Sequence, residues 1–217
     1  MINLDKIKPS NLWYIIGYIA TDGSLSVDGR HINITSKDRD HLYKIRCALL
    51  LENTIGRKTR SISEERNYSQ LQLGDVNFYK YLQSLGFTTR KSLTLGKINI
   101  NNLFFNDFLR GIVDGDGNIS TWIHRTNNHA QWTLRIYSAA PSFINWIKAK
   151  IEEEFSINGK LYVRLAKNRT NPIYILKFGK IAARNILKQI YYPECLSLER
   201  KFLKAQMCLQ SSFKMIN

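Results

Sequence analysis

Asp22 and Asp116 are the two residues of this 217-residue chain whose setting best suits chemistry. Each is the eighth residue of a nine-residue segment, IIGYIATDG at 15–23 and LRGIVDGDG at 109–117, in which an apolar helical run ends in Asp-Gly. Two carboxylates at neighbouring helix C-termini would repel each other and oppose the helix dipoles. A divalent cation would relieve both penalties, because Mg²⁺ prefers carboxylate oxygens, water and phosphate as ligands. The pair therefore predicts a shared metal site.

Small residues in the two segments predict how their helices would meet. Gly17 lies one turn before Thr21, and Gly111 lies one turn before Gly115, so each pair shares a helix face. Small residues at this spacing allow two helix backbones to approach closely. We therefore expect a helix interface built from these four residues.

Gly23 and Gly117 follow the two acids directly and are expected to end each helix in a left-handed turn. One Asp-Gly dipeptide after an apolar helix is usually an ordinary turn. Two copies of equal length, with glycine and acid at the same positions, favour a duplicated unit with two acids in one site.

The elements around the segments repeat in the same order. The first half predicts a hairpin that turns at Asp28-Gly29, a helix over 38–52, strands over 57–63 and 68–74, and a short helix capped by Asp75. The second half predicts a hairpin over 121–138, a helix over 141–155, strands over 160–167 and 173–179, and a helix over 180–191. The asparagine-rich segment 99–107 is predicted to hold the linker and the cap of the second motif helix.

The predicted strands alternate between apolar and polar residues, as in 132–137, WTLRIY. A period of two places one set of side chains in a core and the other on an open face. The open faces are rich in Arg, Gln, Asn and Thr, side chains that can read base edges in the major groove. One such strand is equally compatible with a solvated face, but four of them in a basic chain favour a DNA-reading surface.

The duplicated segment resembles the signature of the LAGLIDADG homing endonucleases, in the form in which one chain carries two copies. The resemblance covers nearly the whole chain. It implies an α+β fold of two pseudo-symmetric αββαββα repeats, 1–102 and 103–217, with the motif helices packed at the centre and antiparallel sheets forming a DNA-binding saddle. The first copy departs from the signature at its sixth residue, where Ala20 replaces the acid kept as Asp114.

The resemblance also implies site residues. Asp22 and Asp116 would bind Mg²⁺, with Mn²⁺ or Ca²⁺ able to occupy the same sites, and the backbone carbonyls of Thr21 and Gly115 are candidate further ligands. Lys37, Ser36 and Ser138 are the candidate basic and polar groups around the metal-bound water, and Lys91 and Lys201 are the candidates for charge stabilisation. The predicted DNA contacts are Arg30, Asn33, Thr35, Lys37, Arg57, Thr59, Gln70, Gln72, Gln131, Thr133, Arg135, Tyr137, Tyr162, Arg164 and Lys177.

Charge agrees with a polyanionic partner. The net charge is +15 with a pI near 9.8, and both halves are basic, at +6 for residues 1–105 and +9 for residues 106–217. The predicted partner is double-stranded DNA, bound by a functional monomer, and no membrane partner is expected. Three cysteines without a CxxC pair predict reduced thiols in an intracellular protein, in a prokaryotic cytoplasm or an organelle.

Three functions stay open at this stage. The first is an intron- or intein-type endonuclease that makes a metal-dependent double-strand cut, with 3′ overhangs, at a long asymmetric site. The second is an RNA maturase that binds intron RNA, and the third is a DNA-binding regulator that does not cut. The presence of both acids favours the first over the third, because a binding protein does not need two unfavourable carboxylates.

Overall fold

The computed structural model describes residues 2–58, 68–126, 128–165 and 170–211. Its first half contains, in chain order, α1 (Pro9–Asp22), β1 (Gly23–Leu25), β2 (His31–Ser36), α2 (Arg39–Ala48), β3 (Ile55–Lys58), β4 (Tyr68–Gly74), α3 (Val76–Ser84) and α4 (Lys91–Thr94). The second half contains α5 (Phe105–Asp116), β5 (Gly117–Ile123), β6 (Ala130–Ser138), α6 (Pro141–Phe155), β7 (Lys160–Arg164), β8 (Ile173–Phe178), α7 (Lys180–Ile190) and α8 (Glu199–Gln210). The αββαββα order of both repeats is confirmed, with one extra helix after each.

Each half forms one four-stranded antiparallel sheet, with strand order β1-β2-β4-β3 in the first and β5-β6-β8-β7 in the second. The core faces are built by apolar cross-strand pairs such as Ile34 with Leu71 and Ile136 with Leu176, all fully buried. The predicted α+β class, with its period-two strands, is therefore confirmed.

The helices α1 and α5 pack against each other and join the two halves, since α1 also contacts β1 and β2 while α5 contacts β5 and β6. Pro9 opens α1 at a position where its missing N–H costs nothing. Every residue from 12 to 20 of α1 is buried, as expected for a helix that is apolar all round. Central packing of the motif helices is confirmed.

The first hairpin differs from the prediction of a two-residue turn. Its last strand pair joins Leu25 to Ile32, so the loop is wider, and Gly29 takes a positive φ of +71° within it. The Asp28 carboxylate accepts hydrogen bonds of 3.0 Å from the backbone N–H groups of Arg30 and His31. This side-chain bonding stabilises a longer turn than the Asp-Gly dipeptide alone predicts.

Two helices, one in each half, also differ from the prediction. The last helix predicted for the second half ends at residue 191, but Glu199–Gln210 forms a further helix, α8. The helix predicted over 38–52 stops at Ala48, and Leu50 just beyond it has a φ of +56°. The boundary between repeats at 102 and 103 falls inside a short 3-10 turn, Asn102–Phe104, and stays a proposal.

None of the helices within the described ranges is both long and apolar enough to cross a bilayer.

Candidate active site

Two glycines bring the backbones of α1 and α5 into direct contact. A Cβ atom at Gly17 would lie 2.1 Å from the carbonyl oxygen of Phe108, and one at Gly111 would lie 2.1 Å from that of Tyr14. Real Cβ atoms do not approach oxygen so closely, so only glycine fits at either position. A Cβ atom at Gly115 would likewise lie 1.8 Å from Oγ1 of Thr21. The four small residues predicted for the interface thus lie where the helices touch.

The glycines that end the helices have a different role from the one predicted. Gly23 has φ −92° and Gly117 has φ −81°, both extended, so the expected left-handed turns are wrong. A Cβ atom at Gly23 would lie 2.8 Å from the Ile19 backbone, and one at Gly117 would lie 2.4 Å from the Val113 carbonyl oxygen. Each glycine allows the chain to turn from helix into strand without colliding with the last helical turn.

The two acids lie at the ends of these paired helices. Asp22 is half-buried, and burial together with the negative charge of Asp116 raises the pKa of its carboxyl to about 6. Asp116 reaches solvent, yet desolvation by the surrounding protein raises its pKa as well. The charges of Lys91 and Lys201 act on both carboxyls and lower their pKa values. The structure therefore brings both predicted acids and two predicted lysines into one electrostatic cluster.

The two lysines close the C-termini of the motif helices. The Lys91 amine donates hydrogen bonds of 2.7 and 3.1 Å to the carbonyl oxygens of Ala20 and Thr21 on α1. The Lys201 amine does the same on α5, at 2.7, 2.5 and 3.0 Å from the carbonyl oxygens of Val113, Asp114 and Gly115. A cation at a helix C-terminus also offsets the helix dipole.

Both lysines are buried, at 4% exposure for Lys91 and 5% for Lys201. Desolvation lowers the pKa of each amine to about 8, and the neighbouring carboxylates oppose that shift. The two amines are therefore still mainly protonated at pH 7.

The cluster fits a hard divalent cation. Within the described ranges, no group of three His, Cys, Asp or Glu side chains lies close enough to hold a metal, so the two acids would need further oxygen donors. The carbonyl oxygens of Thr21 and Gly115 each accept one lysine hydrogen bond and keep a second lone pair. Mg²⁺ accepts such a set, because it binds through one or two carboxylates with waters and phosphate.

A cavity of about 220 Å³ opens beside Asp116, with Thr21, Lys91, Tyr137 and Ser138 among its lining residues. It therefore contains an acid of the second half and a lysine of the first half. The carboxylate of Asp116 and the amine-bearing side chain of Lys91 therefore line one cavity that a phosphate could enter.

The remaining predicted neighbours of the acids make contacts of their own, although Ser138 also lines the cavity beside Asp116. Ser36 is buried and accepts a hydrogen bond of 3.1 Å from the backbone N–H of Asp38, and Ser138 accepts one of 3.1 Å from that of Ala140. Both serines therefore shape the turn from strand to helix. Lys37 is exposed and its amine lies 5.6 Å from the centre of the Tyr68 ring, so the structure does not bring it to the acids.

The open face of the first sheet carries the predicted polar residues in cross-strand rows. Asn33 pairs with Gln72 and Thr35 pairs with Gln70. Nε2 of Gln70 also donates a hydrogen bond of 2.6 Å to the side-chain oxygen of Asn33. Arg30 is exposed in the hairpin loop next to this face. The rows leave amide groups available for recognition of a ligand laid across the strands.

The open face of the second sheet is more basic. Arg135 pairs with Lys177, which pairs with Lys160, so three basic residues form one row. The same face includes Gln131, Tyr137, Tyr162 and Arg164, according to their pairing with neighbouring strands. It also includes Trp122, which pairs with Gln131 and is 45% exposed, a residue that the sequence analysis did not single out.

Several predicted contacts are placed differently. Thr133 lies on the same face as Gln131 and Arg135, but it is only 2% exposed and its hydroxyl lies 2.9 Å from that of Ser120, so it is covered there. Arg57 pairs with buried Ser69 and falls on the opposite side of the first sheet from Gln70. Thr59 lies outside the described residues.

Two apolar positions at the C-terminal end of β7 and just beyond it also depart from the pattern. The period of two in the predicted strand 160–167 would place Val163 and Leu165 in the core beside Leu161, but they are 61% and 65% exposed. β7 is an edge strand, and little of the core extends beneath its outer end.

A buried polar network beneath the site was missed from the sequence. The Asp114 carboxylate accepts hydrogen bonds from the hydroxyls of Tyr14, at 2.8 Å, and Tyr191, at 2.6 Å. The Tyr14 hydroxyl also lies 2.9 Å from Nε2 of His41. Tyrosines and a histidine in apolar stretches look like core residues, and only the acid at position 114 hinted that they would need polar partners.

The chain matches the LAGLIDADG-like domain model twice, at residues 10–86 and 106–191. No curated protein matches it in sequence. Among solved structures, the homing endonuclease I-WcaI bound to its DNA recognition sequence is 12% identical, with a TM-score of 0.58 over 95% of this chain and 88% of that one. I-DmoI in complex with DNA and Ca is 14% identical, with a TM-score of 0.55 over 90% of this chain and 97% of that one.

The N-terminal LAGLIDADG domain of DUF199/WhiA is equally similar, at 14% identity and a TM-score of 0.57 over 93% of this chain and 91% of that one. Full-length DUF199/WhiA from Thermatoga maritima is 15% identical, with a TM-score of 0.56, and the match covers 96% of this chain but only 63% of that protein. At these identities the likenesses show the fold alone. The two matches of the domain model span most of the chain, and the chain belongs to the LAGLIDADG-like domain family in its two-copy form.

Proposed function

We propose that the chain is a site-specific DNA endonuclease of the intron- or intein-homing type. It would cut both strands of a long asymmetric double-stranded target and leave 3′ overhangs. The observation that carries this proposal is the pairing of Asp22 and Asp116 at two helix ends that are each closed by a buried lysine. Two carboxylates and two ammonium groups in one cluster suit a reaction on phosphate.

The acids have the role of metal ligands in this proposal. Mg²⁺ would be held by Asp22, Asp116 and the carbonyl oxygens of Thr21 and Gly115. I-DmoI, which has the same fold, was solved in complex with DNA and Ca, also a divalent cation. A bound divalent cation supplies an activated water and neutralises charge on the phosphate. The raised pKa of Asp22 supports this role, since a nearby cation would remove the repulsion from Asp116 that contributes to the shift.

Lys91 and Lys201 hold positive charge next to the acids. Because both amines are fixed by carbonyl oxygens, their charge is already in place before DNA binds. Preorganised charge of this kind stabilises the negative charge that develops on phosphate during cleavage. Lys37, which is exposed, would contact the DNA from the protein surface and would take no part in cleavage.

The sheet faces would bind the DNA. The amide rows of the first sheet and the row of Arg135, Lys177 and Lys160 on the second would meet base edges and phosphates. I-WcaI, whose fold this chain shares, was solved bound to its DNA recognition sequence. One chain supplies both acids, so the active form would be a monomer. It would work wherever its target DNA lies, in a prokaryotic cytoplasm or an organelle.

The test uses DNA made by joining the sequences that flank this reading frame in its genome. That DNA, in a supercoiled plasmid, should be linearised in Mg²⁺ and left intact in EDTA, and the ends should carry 3′ overhangs. Tight binding without cutting in Mg²⁺ or Mn²⁺ would instead identify a DNA-binding regulator. Selective binding of the intron RNA, with no DNA cut, would identify a maturase.

A further inference from the structure

Three charged residues lie buried along one face of α5. Asp107, Arg110 and Asp114 follow a spacing of three and then four residues, and their exposures are 5%, 0% and 1%. We call this set the α5 clamp. Charged residues are almost never fully buried unless they are paired, so the partners of the clamp decide what it does.

Asp107 and Arg110 bind the chain that leaves α7. The Arg110 guanidinium donates hydrogen bonds to the carbonyl oxygens of Leu196, at 2.9 Å, and Ile190, at 2.8 Å, and to the carboxylate of Asp107, at 2.7 Å. The hydroxyl of Tyr192 donates to the same carboxylate at 2.5 Å. Segment 190–196 is therefore fixed to the second motif helix by hydrogen bonds to charged groups.

Asp114 binds the end of the same segment. Its carboxylate accepts a hydrogen bond of 2.7 Å from the backbone N–H of Leu198, the N-cap residue of α8. The backbone N–H of Lys201 in turn donates a hydrogen bond of 2.9 Å to the Leu198 carbonyl oxygen. The place where α8 begins, and with it the stem of Lys201, is thus set by Asp114.

The first motif helix, α1, carries no such clamp. When the two motif segments are aligned on Asp22 and Asp116, the α1 positions that correspond to the clamp carry the uncharged side chains of Trp13, Ile16 and Ala20. Lys91 lies on the short α4 instead, where its backbone N–H bonds to the Thr88 carbonyl oxygen at 3.1 Å. The two equivalent lysines are held by different means.

We propose that the α5 clamp positions Lys201, and only Lys201, at the end of α5 beside the two acids. Loss of the clamp would free α8 at its N-terminus and withdraw the Lys201 amine from the end of α5, while Lys91 stays in place at the end of α1. This inference rests on the proposed endonuclease function. Asp107, Arg110 and Asp114 are positioning residues in it, because they are buried and act through Lys201.

The main test is Asp114→Leu, which removes the acceptor for Leu198. The free protein is treated with an amine-acylating reagent, and the labelling of each lysine is measured by mass spectrometry. Lys91 and Lys201 should both be protected in the wild type. In the variant, labelling of Lys201 should rise at least about tenfold, as the loss of a hydrogen bond to a charged group predicts, with Lys91 unchanged. Lys91 is the matched internal control, since it is equally buried.

The second measurement uses a duplex labelled on both strands. Asp114→Leu should slow the cutting of one strand much more than the other, so that nicked DNA accumulates. If this variant does not fold, Asp114→Asn takes its place. Its single side-chain oxygen cannot serve all three donors, so Lys201 labelling should rise in the same direction but less.

The outcomes separate the inference from the proposed function. Equal labelling of both lysines, or continued protection of Lys201, overturns the clamp even if the wild type cuts DNA. A selective rise at Lys201 in a protein that never cuts DNA supports the positioning and contradicts the endonuclease proposal. A selective rise with both strands cut at the wild-type ratio would show that the clamp does not matter for cleavage and would overturn the inference.

Discussion

The amine of Lys201 donates a hydrogen bond of 3.0 Å to the carbonyl oxygen of Gly115, the residue directly before Asp116. Lys91 has the same relation to Thr21, the residue directly before Asp22, at 3.1 Å. Each acid therefore follows a carbonyl that a buried cation holds. The arrangement compensates the helix dipole, which would otherwise oppose a carboxylate at this end.

The lysine at the second helix end should matter for cutting more than for folding. Lys201→Met keeps the length of the side chain but removes the charge, so cleavage should fall by about 10²-fold or more, in line with loss of preorganised electrostatic stabilisation. The free energy of unfolding should fall by only about 1 kcal/mol, the usual size of a cation at a helix C-terminus. Lys204→Met, one turn along and exposed, is the control and should leave both quantities near wild type.

Gly111 should not tolerate even one added methyl group. Gly111→Ala would place a Cβ atom 2.1 Å from the Tyr14 carbonyl oxygen, so α1 and α5 would have to separate. We expect a loss of about 2–3 kcal/mol or more in the free energy of unfolding, measured in urea, together with weaker cutting. Gly96→Ala is the matched control, because nothing lies within 4 Å of its Cβ position. Equal stability of the two variants would contradict the direct backbone contact.

The buried His41 should make the protein less stable as the pH falls. Burial lowers its pKa from 6.5 to about 4. Because the Tyr14 hydroxyl donates to Asp114, it accepts from Nε2–H of His41, and Nδ1 has no hydrogen-bond partner among the described residues. The other charged groups that act on the ring are Lys44, Asp38, Arg200 and Lys201.

The free energy of unfolding falls with pH because His41 binds a proton more readily in the unfolded chain than in the folded one. Between pH 6.5 and 4 the unfolded chain gains a proton on this residue and the folded chain does not, so the free energy of unfolding should drop by about 2–3 kcal/mol over that range. His41→Gln should remove that part of the pH dependence, whereas His124→Gln, at an exposed position, is the control. A wild type and a His41→Gln variant that lose stability in parallel over this range would show that His41 is not the cause.

Arg135 should contact DNA from the open face of the second sheet, whereas Arg57 should not, because it falls on the other side of its own sheet. Arg135→Ala should cost about 1–3 kcal/mol in binding and relax specificity at one base pair if it reads a base edge. The measurement is affinity across single-base variants of the site at several salt concentrations. A uniform loss with a smaller salt slope would assign Arg135 to phosphate, and a larger effect of Arg57→Ala would contradict the assigned faces.

The central helices and the strand faces could be predicted because local pattern and burial agree there. The segments around Asp22 and Asp116 combine an apolar helix with close-packing glycines, and strands such as β2 and β4 alternate cleanly. Asp75 was expected to cap α3, and its side chain accepts a hydrogen bond of 2.9 Å from the Phe78 N–H. In such places one short stretch of sequence is enough to predict the element and its cap.

The missed features depend on distant partners. The buried stripe of α8 includes Lys201 beside Ala205 and Cys208, and a lysine within it hides the apolar period of a helix. Arg110 reads as a surface residue, because its partners at 190 and 196 are backbone carbonyls that no side-chain pattern marks. Hydrogen bonds to backbone across the fold leave no trace in local periodicity.

The paired acids are the centre of this account, and their most direct test measures cutting and binding on the same DNA. Asp22→Asn and Asp116→Asn should each lower double-strand cutting of a supercoiled target in Mg²⁺ by at least about 10²-fold. DNA binding should be unchanged or tighter, because one negative charge near phosphate has been removed. Asp40→Asn, at an exposed position on α2, is the control and should cut as the wild type does. Full double-strand cutting by either site variant would contradict the paired-acid site.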